Sequence, residues 1–193
     1  MLKESLPALL LLLAMTILTG LVYPLLVMGL AGLFFPHQAG GSLMVDESGA
    51  VRGSTLVGQE FKEARYFHCR PSATTAPYNG AASCGSNLAA SNKTFVDAVE
   101  ERVKLWRRSG LSGAVPVDLV TASASGLDPH LSPSAALAQA PLVAAARRLP
   151  VRDVEALVRR RIEPRTLGFL GEPRVNIVLL NSALDKAYGR DNR

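Results

Sequence analysis

The sequence predicts an α+β protein: a single N-terminal transmembrane helix followed by one mixed α/β extracytoplasmic domain. Three observations lead there. No Asp, Glu, Lys or Arg occurs between Ser5 and Val45, and residues 6–35 depart from strongly apolar character only at Pro7, Thr16, Thr19, Gly20, Pro24, Gly29 and Gly32. The remaining chain mixes short β-branched runs with amphipathic helical stretches. Composition removes the rival classes. With 48% hydrophobic and 19% charged residues the chain is not disordered, and one long apolar run is too few for a many-span transporter. Two cysteines among 193 residues exclude a disulfide framework and a Cys₄ zinc site. Aromatics at 6% are too sparse for a base-stacking platform, so nucleic acid is not an expected partner.

The expected organisation is a short cytoplasmic tail (residues 1–5), a transmembrane helix (6–35) and a soluble domain (36–193). Thirty helical residues reach about 45 Å, more than the ~30 Å hydrocarbon core requires. The alternative is a cleaved signal peptide, but such apolar regions are about 7–15 residues long and end at a small-x-small site. Gly29-Leu30-Ala31 lies inside the run. Pro24 predicts a kink. Thr16 and Gly20, and Gly29 and Gly32, are candidate helix-packing pairs, although glycine is also common in membrane helices. Lys3, Glu4, Asp46, Glu47 and Arg52 flank the run and barely vote on orientation. The short tail favours a cytoplasmic N-terminus, and hence a single-pass protein of the cell (inner) membrane.

After the anchor, residues 42–46 and 50–57 read as a hairpin around Glu47-Ser48-Gly49. Residues 58–91 form a long Gly/Ser/Asn/Pro loop, a length usually functional or disordered. A helix capped by Ser91 or Asn92 follows, with Phe95, Val96, Val99, Val103 and Trp106 on one face and Ser109-Gly110 at its end. Residues 115–121 have the β-branched density of a buried strand. A second loop, 122–132, leads to a helix capped by Ser132 with Pro133 at its first position. Pro141 is expected to interrupt it and Pro150 to end its continuation. Residues 151–162 predict an amphipathic helix with a Glu155–Arg159 pair, residues 175–180 a strand, and residues 182–188 a short helix.

The excess charge, formally +5, is local: residues 147–165 hold seven Arg. Such a cluster suits phosphate or anionic lipid, or is simply the solvated side of a helix. No Gly-Lys dipeptide exists for a phosphate loop, and His37, His68 and His130 match no metal spacing. His68-Cys69-Arg70 suggests an activated thiol but shows no second partner. Asp128-Pro129-His130, near Ser123, Ser125 and Ser132, is the best candidate for acid–base or nucleophilic chemistry. A loop of this composition before a helix is also ordinary turn and capping chemistry.

A series of short motifs runs through the chain in order. They are Gly53-Ser-Thr-Leu-Val-Gly-Gln59, Tyr66-Phe-His-Cys-Arg-Pro-Ser-Ala73, Tyr78-Asn79 and Ala82-Ser-Cys-Gly-Ser-Asn-Leu88. Then come Pro116-Val-Asp-Leu-Val-Thr-Ala-Ser123, Gly126-Leu-Asp-Pro-His-Leu-Ser-Pro133, Gly171-Glu-Pro-Arg-Val-Asn176 and Leu180-Asn-Ser-Ala-Leu184. In this order the set resembles the C-subunit family of the potassium-transporting Kdp ATPase complex, across essentially the whole chain. The resemblance implies a non-catalytic accessory subunit needed for assembly. It also implies a catalytic chaperone that raises the ATP affinity of the hydrolysing subunit. The implied partners are a channel-like potassium-translocating subunit, a P-type ATP-hydrolysing subunit and the lipid bilayer. No cofactor is expected on this chain alone, ATP and potassium being handled by the complex. Candidate partner-contact residues on the matching loops are Gln59, Tyr66, Phe67, His68, Arg70, Pro71, Ser72, Asn79, Ser86, Asn87, Asp118, Asp128 and His130. The alternative reading is a membrane-anchored extracytoplasmic hydrolase using Asp128 and His130.

The sequence departs from the family pattern where Cys69 and Cys84 stand in place of glycine or another small residue, and where Ala89-Ala90 replaces Gly-Pro. Both cysteines fall in the long loop, and an outer-face location is oxidising. A Cys69–Cys84 disulfide is therefore expected.

Overall fold

A computed structural model of the chain describes residues 2–46 and 48–189, and divides them into two compact units that meet between Ser54 and Thr55. The first unit carries α1 (Leu2–Ile17), a π-turn (Leu18–Val22), α2 (Tyr23–Phe34) and the single turn α3 (Pro36–Ala39). From Ser5 to Phe34 the path is 30 residues long. It is the one helix among the described residues long and apolar enough to cross a membrane, and none of it is buried by the protein itself. A kink is expected at Pro24, and the π-turn ends at Val22, two residues before that proline. Proline has no N–H and its ring crowds the carbonyl four residues back. The ladder is rerouted just before it, with Tyr23 N–H donating to the Leu18 carbonyl five residues away. Thr16 and Thr19 donate their hydroxyls to the Leu12 and Met15 carbonyls, at 2.8 and 2.7 Å, so the polar atoms are satisfied within the helix.

The hairpin forms, with shorter strands than the sequence suggests: β1 (Leu43–Val45) pairs antiparallel with β2 (Val51–Ser54), with an irregularity between Met44 and Val45. Asp46 closes the turn, accepting from Ser48 N, Ser48 Oγ, Ala50 N and Arg52 Nε. These bonds, that of the Ser48 hydroxyl foremost, hold its carboxyl far below the usual range. Glu47 lies outside the described residues.

In the second unit no helix or strand occurs before α4 (Lys93–Arg108). Asn92 is its cap, accepting from Thr94 N at 2.8 Å. Phe95, Val99, Val103 and Trp106 form a half-buried face, while Val96 is exposed. Residues 115–121 correct the sequence expectation: they hold a short 3₁₀ turn, Val117–Leu119, not a strand. Pro116 has no N–H for a ladder and its carbonyl accepts from Leu119 N, while the Asp118 carboxylate accepts from Ser132 N at 2.9 Å. Side chains from α4 take the remaining carbonyls, Trp106 Nε1 reaching Leu119 O and Arg102 reaching Val120 O.

The two-residue strand β3 (His130–Leu131), unforeseen in the loop, precedes α5 (Pro133–Arg147), which Ser132 caps as expected. Pro141 does not interrupt α5. Loss of one backbone bond is outweighed because the turn around it is packed, with Ala140, Val143 and Ala144 almost wholly buried. The helix ends at Arg148, in the left-handed conformation, with Arg148 and Leu149 N–H returning to Ala145 and Ala144. Helix α6 (Val151–Arg160) is shorter than expected, since Ile162 belongs to β4 (Ile162–Glu163). Its Glu155–Arg159 pair forms at 2.8 Å.

The predicted strand over 175–180 is also corrected: β5 is only Arg174–Asn176, and α7 runs Ile177–Tyr188. Asn176 accepts from Leu179 N, so the side chain that closes the strand also starts the helix. The sheet order is β3-β5-β4, all antiparallel. Val175, Ile177, Leu180 and Leu184 meet Val154, Val158 and the α5 alanines in one core, capped by the loop residue Phe67.

Candidate functional site

The long loop is ordered by side chains rather than by a sheet. Two buried amides hold it from opposite helices. Asn181 on α7 accepts from Phe67 N at 2.9 Å and donates to Phe67 O at 2.8 Å. Gln139 on α5 accepts from His68 N at 2.8 Å and donates to His68 O at 3.1 Å. Tyr66 sits beside them, donating to Asp185 Oδ2, with the Arg147 guanidinium 4.9 Å from its ring centroid. Arg147 and Asp185 form a buried ion pair at 2.6 Å. Thus one of the seven arginines is structural, and Arg159 and Arg165 are paired with Glu155 and Glu172.

From this clasp the chain passes to Cys69 and Arg70. Tyr78 donates its hydroxyl to Arg70 O at 2.6 Å, closing the loop on itself. Ser72 Oγ donates to Gly126 O and accepts from Tyr78 N, joining the first loop to the second. Gly126 lies at φ +67°, and a side chain there would run into Thr74 and the Cys84 carbonyl. Asn79 accepts from Ala81 N in its own turn. Ser86 and Asn87 are exposed, Asn87 being left-handed. Pro71, His68 and Arg70 line one side of a cavity of about 500 Å³, and Arg102, Leu105 and Trp106 of α4 line the other. His68 meets the Trp106 ring edge-on at 5.8 Å, and burial lowers its pKa, favouring the neutral imidazole. Gln59 supplies backbone to the Cys69 thiol, while Asp118 serves the Ser132 cap.

Asp128 and His130 do come together. Asp128 Oδ1 lies 3.1 Å from His130 Nδ1 and 2.9 Å from His130 N, and Oδ2 is 3.6 Å from Arg70. The geometry is an aspartate-stabilised turn that also orients an imidazole. The neighbouring serines are engaged elsewhere: Ser125 Oγ accepts from Leu127 N, and Ser132 Oγ accepts from Ala135 N. Among the described residues no group of three or more His, Cys, Asp or Glu is placed to hold a metal ion.

The expected disulfide is not formed. Cys69 and Cys84 are free thiols, in different surroundings: Cys69 is buried in the core, and Cys84 is exposed with its Sγ 3.5 Å from Ala73 O. Gln139, Asn181, Arg147 and Asp185 were not singled out from the sequence. The available signal was a lone amide or charge on an otherwise apolar helical face.

A helix long and apolar enough to cross a membrane once, followed by a mixed domain of helices and short strands whose polar residues mostly tie loops together, is the class of protein the fold defines. The comparisons with known proteins give the particular family. The family model "K+-transporting ATPase, c chain" (KdpC) matches residues 5–186. The chain is 51% identical to the potassium-transporting ATPase KdpC subunit of Bradyrhizobium diazoefficiens, covering 98% of this chain and 100% of that protein. It is 53% identical to that of Rhodopseudomonas palustris strain BisB18, over 97% and 100%. It is 50% identical to that of Geobacter sulfurreducens, over 95% and 97%. The chain belongs to the KdpC family of K⁺-transporting ATPase subunits.

Proposed function

We propose that this chain is the non-catalytic accessory subunit of an ATP-driven potassium uptake pump. It would be anchored once in the cell (inner) membrane with its N-terminus cytoplasmic and residues 36–193 outside. Its partners are a channel-like potassium-translocating subunit and a P-type ATP-hydrolysing subunit. The observation that carries this is the bare helix Ser5–Phe34: thirty uncharged, mostly apolar residues, none of them buried by the chain's own fold. Lipid and the helices of partner subunits supply the cover. Gly20, Gly29 and Gly32 have open space where a side chain would stand, which suits close helix approach. The chain binds neither ATP nor potassium alone. It acts as a catalytic chaperone, raising the ATP affinity of the hydrolysing subunit through coupling between distant sites. With the domain outside, about five residues face the compartment that holds ATP.

Purification tests this. An affinity-tagged chain extracted in mild detergent should bring down two large membrane proteins, and alone should turn nothing over. Omitting the chain should raise the ATP concentration needed for half-maximal hydrolysis by the remaining pump. Hydrolytic activity of the isolated chain, lost on His130→Ala, would decide for the hydrolase reading.

A further inference from the structure

We propose that the turn over residues 165–172 is a rigid apolar plug by which the soluble domain seats in an uncharged apolar recess on a partner subunit. The inference rests on the accessory-subunit reading above. The segment is Arg165-Thr-Leu-Gly-Phe-Leu-Gly-Glu172, between β4 and β5. Its backbone is fixed from within. Thr166 and Leu170 exchange two bonds of 2.9 Å, and the N–H groups of Gly168 and Phe169 return to the Arg165 and Thr166 carbonyls. Leu167 is held at φ +54°, a conformation a non-glycine residue seldom adopts, with Gly168 and Gly171 left-handed beside it. Arg165 clamps the base of the turn on both Glu172 oxygens, at 2.7 and 2.6 Å.

This framework presents what water does not favour. Leu167 is 79% exposed, Phe169 69% and Leu170 50%. Three large apolar residues within four positions form a contiguous patch, and such patches mark interaction sites. An aromatic residue with aliphatic neighbours is the composition of an interface anchor. A turn already ordered loses little conformational freedom when it docks.

The charges select the partner. Arg165 is closed by Glu172, and Arg174 by Glu163 at 2.9 Å. An interfacial lipid anchor sets unpaired cations beside its apolar residues to meet anionic headgroups. Here the cation at the base of the turn, Arg165, and the one that follows it, Arg174, are already paired with the protein's own carboxylates. The complementary surface is an apolar recess without charge at its centre, and a pump subunit is the partner the chain assembles with.

The test uses the full chain expressed with the rest of the pump. Leu167→Ser combined with Phe169→Ser should reduce partner protein retained on the tagged chain about tenfold. The melting temperature of the variant chain should not change, because the exposed side chains support no core. Leu56→Ser, at a leucine 61% exposed on the same unit, should retain partner as wild type does. A benzophenone-bearing phenylalanine analogue in place of Phe169, illuminated in native membranes, should form its adduct with an apolar stretch of a pump subunit. An adduct with phospholipid or with a second copy of this chain, or no adduct, overturns the inference. Full retention by the double variant does so too, and leaves the accessory-subunit reading standing when the wild type brings down its partners. Failure of the wild type to bring down any pump subunit overturns both.

Discussion

Asp128 holds two loops in place while remaining partly open to water, and its ionisation is tied to folding. Burial works to raise its carboxyl. The side-chain and backbone bonds from His130, with the His130 and Arg70 charges, outweigh burial and keep it below the ordinary 3.8. A carboxyl lowered by folding contributes stability above its unfolded pKa, and that contribution is lost as pH falls through the folded value. Asp128→Asn should therefore be less stable than the wild type at neutral pH. The gap between their urea midpoints should narrow as the pH falls below about 4. A gap independent of pH would show that the charge contributes nothing. The cysteines give a second test. Burial, the largest influence, pushes the Cys69 thiol up to about 12, with Asp128 adding to it and the Gln59 backbone bond opposing. Maleimide at neutral pH should label one thiol per folded chain, at Cys84, and the second only in urea. Asp128-Pro129-His130 was legible in the sequence because an aspartate turn is made within three residues. Gln139 and Asn181 were not, because their partners lie 71 and 114 residues away.

Helices α5 and α7 each supply one amide to the long loop that precedes α4, a task strands usually perform. Asn181→Ala would leave the Phe67 N–H and carbonyl buried and unpaired, a loss of about 3 kcal/mol. Urea unfolding followed by the fluorescence of Trp106, the single tryptophan, measures it. A loss below about 0.5 kcal/mol would show that water takes the place of the amide. In the anchor, Gly20→Ile should leave membrane insertion intact while weakening co-purification of partners, since lipid-embedded helices associate through close packing of small residues. Helices with caps were legible: Asn92 and Ser132 start α4 and α5, and Gly110, at φ +93°, follows the end of α4. Strands were not. With two or three residues each, β3, β4 and β5 are too short to show alternation. The β-branched residues of 115–121 join no ladder: Val120 is buried, Val117 is exposed, and side chains of α4 take the Leu119 and Val120 carbonyls, while Pro141 was carried by the packing around it.

Across the whole chain the membrane-compatible helix was legible because thirty residues without charge need no tertiary information to interpret. The family could be recognised because its motifs occur in order from one end of the chain to the other. How the loops join could not, because side-chain contacts between distant segments decide it. Orientation has its own measurement: a reporter active only in the cytoplasm, fused after Arg193, should be silent, and activity there would reverse the proposed topology. The π-turn at Leu18–Val22 has an angular consequence for that anchor. Each α-helical residue advances about 100°, so in a uniform helix Gly29 would point ~220° around from Thr16. A wide turn absorbs one extra residue and brings that angle to about 120°, a third of the circumference. Gly32, three residues further on, comes to about 60° from Thr16 instead of about 160°, so a straight neighbour lying along Thr16 can lie along Gly32 as well. The wide turn thus gathers Thr16 and Gly32 into one sector of the helix, open to a single straight neighbour.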